Sequence, residues 1–299
     1  MPIAPLSEQR SIVAKIEQLF SELDNGISNL KAAKSKLEMY CQAVLKMAFE
    51  GELTKDWRMK QQGLTSAASL LEQLEKERKK YYEGQIHEWK KAVQKWMSGG
   101  KNGKRPTRPS SPRTLEVEEG IEDLYGSLPE KWTWTRFCNV TYKIGDVDHK
   151  MPNDFPGGLP YLSTGNLNAD GTVDFENAKT ISREDYDRLS LKIRPENGDI
   201  IFPRYGTIGR NVLVSFDREF LVSYSCAIIK NIRPLMNEKF VYYYSLSPVI
   251  KKEITRYTVQ TTQANIGLGS IEGFVFPLCS RCEQDRIVEE IESRLSVCD

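Results

Sequence analysis

The chain is poor in several of the features that usually give a protein away. It has only two histidines, His87 and His149, in 299 residues. A Ser-His-Asp or Cys-His site would therefore have to use one in a charged helix or one in a loop, and neither carries a supporting signature. Six cysteines (Cys41, Cys138, Cys226, Cys279, Cys282 and Cys298) are thinly spread, which is unlike a disulfide scaffold. Cys279-Ser-Arg-Cys282 is a single Cys-x-x-Cys with no second pair or nearby histidine, so no metal is expected. There is no run of about 18 apolar residues and no basic-then-apolar leader, which leads to the expectation of a soluble, cytoplasmic protein without a membrane partner. A Walker A loop, a Gly-x-Gly-x-x-Gly turn and an Asn/Asp-Pro-Pro-aromatic loop are all missing, so no ATP, dinucleotide or methyl-donor cofactor is expected and no catalytic residue is assigned.

What is abundant is charge. Charged residues make up 28% of the chain and hydrophobic ones 39%, with 42 basic side chains against 41 acidic ones, a net +1. The mean hydropathy of -0.49 is low for a compact enzyme. The neutral total hides blocks: residues 55–113 carry fifteen basic and six acidic groups, 114–130 six acidic and none basic, and 131–280 eighteen and sixteen. The Gly/Pro/Lys-rich stretch 98–113 cannot bury a core and reads as a mobile linker or as a strap for phosphates.

From Ser7 to Phe49 there is no proline and one glycine, Gly26. Apolar or small residues recur at spacings of three and four: Ile16, Leu19, Leu23, Gly26, Leu30, Ala33, Leu37, Tyr40, Val44 and Met47. This is a heptad seam over a helix of roughly 65 Å, with Ser7 as a simple N-cap and Gly51 as its stop. Such a stripe needs another helix. A second helical stretch over 66–97 has a narrow stripe from Leu70, Leu71 and Leu74 and reads as a peripheral helix or hairpin. From about residue 128 the pattern changes to short β-rich runs such as Asp199-Ile-Ile-Phe-Pro203, Asn211-Val-Leu-Val214 and Ser225-Cys-Ala-Ile-Ile-Lys230, with helices expected near 182–189 and 238–257. The expected fold class is α+β: a long coiled-coil helix over 1–56, a charged helical segment and linker over 57–127, a mixed α/β globular domain over 128–278, and the start of a second long helix over 279–299.

The two ends of the chain repeat one another. Pro2, Glu8-Gln9, Ile12-Val13 and Ile16-Glu17 recur 275 positions later as Pro277, Glu283-Gln284, Ile287-Val288 and Ile291-Glu292, without a gap. The chain reads as one unit of a helix-plus-domain repeat with the next helix just begun.

Glu8-Gln-x-x-Ile-Val-x-x-Ile-Glu17 at the head of a long helix, then Tyr40-Cys-Gln-Ala-Val-Leu-Lys-Met-Ala-Phe-Glu-Gly-Glu-Leu-Thr54 and Trp57-Arg58, resemble the central conserved region of specificity subunits of type I restriction-modification enzymes. Leu128-Pro-Glu-Lys-Trp-Thr-Trp134 is similar to the start of their second target recognition domain. Gly145-Asp-Val-Asp-His-Lys-Met-Pro152, Gly198 to Gly209 and Ser223-Tyr-Ser-Cys-Ala227 resemble that domain's interior. The sequence departs from the family in extent, with one recognition domain, one complete helix and a short second one where the family has two of each.

The resemblance implies a non-catalytic subunit that binds double-stranded DNA and directs modification and restriction subunits to a bipartite target. A half-length chain reproduces two separated recognition domains by pairing with itself, so a homodimer through the long helices is expected, with Ile16, Leu19, Leu23, Leu30, Leu37, Tyr40, Val44 and Met47 at the seam; the alternative is that the chain is the downstream part of a longer subunit. Direct readout needs polar side chains that reach base edges. The candidate DNA-binding residues are His149 and Lys150, Ser163 and Asn166, Arg204, Tyr205 and Thr207, and Gln260, Thr261, Thr262, Gln263 and Asn265. Asn and Gly in such turns also serve backbone geometry, and Asp148 and Arg204 can pair with each other. A coiled-coil scaffold without DNA specificity and a stand-alone nuclease or methyltransferase are the alternative readings.

Overall fold

The computed structural model describes residues 3–258 and 265–296. Helix α1, Leu6–Phe49, is 44 residues long and so roughly 66 Å. Pro5 stands at its N-cap without a side-chain bond, and Ser7, expected as the cap, lies inside the first turn, where its carbonyl accepts from Ser11 Oγ at 3.1 Å. The helix stops where Gly51 takes φ +77°, and a Cβ there would meet Pro129 Cγ at 2.4 Å. Only glycine satisfies both the turn and that approach.

The short helix α2, Lys55–Lys60, leads to α3, Ala67–Ser98, which Ser66 caps by accepting from the Ser69 amide. Sequence pattern puts α3 at the periphery, as a helix or hairpin. It is instead one continuous helix, and its first turns belong to the core, with Ala67, Leu70 and Leu74 buried against the α/β domain. The apolar stripe is narrow because only these turns meet the domain. The stretch beyond α3 is not a free linker either. Arg78 donates to Arg113 O at 2.5 Å, and the Asn139 side chain holds both backbone groups of Leu115. Helix α4, Ile121–Tyr125, follows within the acidic block.

The α/β domain is closed by an antiparallel pair, β1 (Thr133–Arg136) with β9 (Val275–Leu278), which places its two ends side by side. Between them run β2 (Thr141–Gly145), β3 (Leu159–Leu162), β4 (Lys179–Ile181), α5 (Arg183–Ser190), β5 (Ile200–Pro203), β6 (Val212–Leu213), β7 (Leu221–Val222), β8 (Cys226–Asn231), α6 (Glu238–Ser245), α7 (Pro248–Tyr257) and α8 (Leu268–Glu272). The order β2-β8-β5-β6 forms an antiparallel sheet, and β4-β3-β7 forms a smaller one in which β3 and β7 are parallel. Alternation divides the first sheet between two cores. Ile200, Phe202, Ala227 and Ile229 face the core shared with α1, α3 and α6, whereas Ile201, Cys226 and Ile228 face the one built on β3 and α5. The single helix expected over 238–257 is broken in two, because Pro248 has no amide to continue α6 and Ser247 caps a new start.

Helix α9, Arg281–Leu295, begins 275 residues after α1, so the repeat in sequence is a repeat of helix starts. Their surroundings differ. In α9, Gln284, Ile287, Val288 and Ile291 are buried, and the buried Glu283 accepts from Thr54 Oγ1 (2.8 Å), Arg58 Nη1 (2.6 Å) and Trp132 Nε1 (2.8 Å). In α1 the matching Ile12, Val13 and Ile16 are exposed, as are Leu19, Leu23, Leu30, Leu37, Tyr40 and Met47 of the seam. Val44 departs from that expectation: with Leu45, Ala48 and Phe49 it is buried in the domain's own core, where Phe49 packs on Phe240 and Tyr244. Among the described residues no helix is long and apolar enough to cross a membrane.

Candidate nucleic-acid interface

Strand β2 ends at Gly145 and delivers Asp146 into the domain with 3% exposure. A buried carboxylate is tolerable only with charged or hydrogen-bonding partners, and Asp146 has three from different loops. Arg204 Nη1 lies 2.5 Å from Oδ2, Lys192 Nζ 3.0 Å from Oδ1, and His149 Nε2 3.5 Å from Oδ2. Arg204, which follows β5, also donates from Nε to Ile266 O (3.0 Å) and from Nη1 to Tyr224 O (3.3 Å). Sequence pattern points Arg204 outward, toward bases. The structure turns it inward, and its partner is Asp146 rather than Asp148.

Around this buried pair the loops converge. His149 stands exposed above Asp146 and stacks on Tyr224 with ring centroids 4.7 Å apart and planes at 19°. Tyr205 meets the same ring edge-on at 6.2 Å and 82°, and its backbone bridges to Asn265. Lys150 is exposed beside His149. The Thr207 hydroxyl is buried, with no hydrogen-bond partner among the described residues. Because β3 and β7 are parallel, the turns that follow them emerge at one end of their sheet; Ser163 and Tyr224 lie in those two turns, and the Ser223 amide donates to Leu162 O at 2.7 Å. Ser163 is exposed there. Asn166 is again turned inward, its Oδ1 accepting from Ser163 N (2.9 Å) and Oγ (3.0 Å) to shape the turn itself. Gln260, Thr261, Thr262 and Gln263 lie outside the described residues; Asn265, which follows them, is half-buried.

Asp146 and Tyr224 stand within motifs quoted from the sequence, but their roles as the hub and as the ring between His149 and Tyr205 do not show there, and Lys192 carries no signal at all, because Asp146, Lys192, Arg204 and Tyr224 meet only through the sheet order. Burial, and then the like charges of Lys192 and Lys230, pull the Lys143 ammonium below its ordinary range, and burial pushes the Cys226 thiol up to about 12. No group of three His, Cys, Asp or Glu side chains able to hold a metal occurs among the described residues. The exposed part of the surface is thus a set of hydrogen-bonding and aromatic side chains on loops fixed from below, an arrangement suited to reading polar edges.

The domain thus carries a polar loop surface on two sheets and is mounted at the end of a long helix. Residues 133–294 match the family described as type I restriction modification DNA specificity domain, and the chain belongs to that family. It is 22% identical over 303 residues to the EcoBI specificity subunit of Escherichia coli, an alignment that takes in 100% of this chain and 52% of the relative. A shorter stretch of 82 residues, 26% of this chain and 18% of the relative, is 39% identical to the EcoDI specificity subunit of the same organism. Among solved structures, a chain from work on complex assembly and conformational transition of the type I R-M system superposes with a TM-score of 0.50 at 15% identity, covering 99% of this chain and 54% of that one, a likeness of fold. The chain spans about half the length of the relatives that it matches from end to end.

Proposed function

We propose that this chain reads a DNA sequence for a type I restriction-modification complex and carries no catalytic step itself. The observation that supports this best is the convergence of four loops over the Asp146–Arg204 pair, which sets His149, Lys150, Ser163, Tyr205 and Asn265 at one edge of the domain over 128–278. These are side chains that donate to and accept from base edges in the major groove of duplex DNA. Modification and restriction subunits are the partners that would act where this subunit binds, in the cytoplasm, with no cofactor held by this chain.

The long helix supports a homodimer. The repeat that is buried in α9 is exposed in α1, and the exposed seam runs from Ile12 to Tyr40. Two copies pairing these helices antiparallel would set two identical recognition domains apart and favour a split, palindromic target. Alanine replacement of His149, Gln260, Gln263 and Asn265 together tests the reading of bases. Loss of preference between duplexes with the fold retained is the expected result, and an unchanged preference favours a helical scaffold without DNA specificity.

A further inference from the structure

We propose that the outer half of α3 and the segment that returns along it form a phosphate-binding arm, which grips the backbone of duplex DNA outside the bases read by the domain loops. The last ring contact between α3 and the domain's sheets is Tyr81 stacked on Tyr142 at 4.3 Å. Beyond it the helix continues to Ser98, roughly 25 Å at the α-helical rise. The return is built, not loose. Trp89 Nε1 donates to Pro106 O at 3.0 Å, Trp96 Nε1 donates to Gly103 O at 3.2 Å, and the Arg108 guanidinium lies 5.8 Å over the Trp89 ring. Val93 is buried in this arm although it is far along α3 from the core turns. At the tip Lys101 is the one non-glycine residue with positive φ (60°) among the described residues, a conformation that favours glycine, yet a cation occupies it.

Residues 86–113 hold eight Lys or Arg and a single carboxylate, Glu88. Lys91 pairs with Glu88 at 2.8 Å and Arg113 with Glu272 at 3.2 Å. The other six, Lys90, Lys95, Lys101, Lys104, Arg105 and Arg108, are exposed and have no ion-pair partner among the described residues. Unpaired cations gathered on a pinned helix and its returning segment repel one another, a cost that a polyanion removes by binding. A duplex backbone supplies one negative charge per ~1.7 Å of axis, and its neutralisation releases counterions. The arm offers little apolar surface apart from Met97, which disfavours a protein partner held by burial.

This inference rests on DNA being the ligand of the domain, and its test separates the two. The full chain and its quadruple variant Lys95→Gln, Lys101→Gln, Lys104→Gln, Arg105→Gln are titrated across a salt series with a target duplex and a scrambled one. The arm predicts that the variant's dependence of log affinity on log salt falls by about 0.9 for each phosphate no longer neutralised, a total of about 3 to 4, with equal weakening on both duplexes and an unchanged preference. Lys101→Arg with Lys104→Arg should keep the original slope. An unchanged slope and affinity overturn the proposal, as does weakening confined to the target duplex. Intact DNA binding with failed assembly of the modification subunit also overturns it and assigns the arm to a protein. If the unmodified chain binds both duplexes equally, base reading fails while a reduced slope in the variant still supports the arm.

Discussion

Ile291 in α9 is fully buried, and Ile16, its counterpart 275 residues earlier in the same repeat, is 45% exposed. One sequence pattern thus occupies two environments, covered by the domain in α9 and open to solvent in α1. Each large apolar side chain left in water forgoes about 1.5–3 kcal/mol of burial, and α1 exposes more than ten of them in a stripe.

Leu23→Glu with Leu30→Glu should therefore abolish self-association without unfolding the domain, since neither side chain reaches it. Light scattering at micromolar concentration should give about twice the 34.2 kDa chain mass for the unmodified protein and the single-chain mass for the variant. An unmodified protein that is strictly monomeric contradicts the pairing.

The anchor of α9 should be costly to break. Glu283→Ala leaves Arg58, Trp132 and Thr54 without their common acceptor, and removal of one partner of a buried pair typically costs about 3–5 kcal/mol. Urea unfolding measures it; a loss below about 1 kcal/mol would show that the carboxylate is dispensable.

Much of the helical framework is legible in sequence because its signals are local. The seam of α1, the span of α3, the breadth of α5 and the strands around Ile201, Val212 and Ile228 follow from spacing within a few residues. The errors come from distance. Leu70 and Leu74 look like a sparse surface stripe until the α/β domain arrives to cover them. Arg204 looks like a base reader because Asp146 is 58 residues away, and Asn166 looks like one although its acceptor is used at once by its own turn. The break at Pro248 is a local signal masked by an unbroken apolar stripe.

The inward and outward members of the candidate surface should separate by experiment. Arg204→Ala leaves Asp146 with Lys192 and His149 alone, and should lower stability by about 3 kcal/mol. His149→Ala and Lys150→Ala should change stability by no more than about 0.5 kcal/mol, as surface substitutions do. Equal effects of the three on thermal unfolding would contradict the division.

Asp199 should make a contribution to stability that is lost as pH rises between about 4 and 6. Burial pushes the Asp199 carboxyl up to about 6, against the pull of Lys230 at 2.6 Å. A raised carboxyl binds its proton more tightly in the folded state, so its contribution is complete below the unfolded value of about 3.9 and is lost as pH rises through 6. Asp199→Asn should remove that component of the profile, a change of about 3 kcal/mol. A profile with the same slope in both proteins would assign the pH dependence elsewhere.

The central claim, that the loops over Asp146 and Arg204 read bases, is tested by selection from randomised duplexes with the chain assembled on its modification subunit. Sequencing of the bound pool should return a split motif with two inverted half-sites at fixed spacing, and the His149, Gln260, Gln263 and Asn265 alanine variant should lose it. A pool with no enriched motif from the unmodified protein would contradict the account.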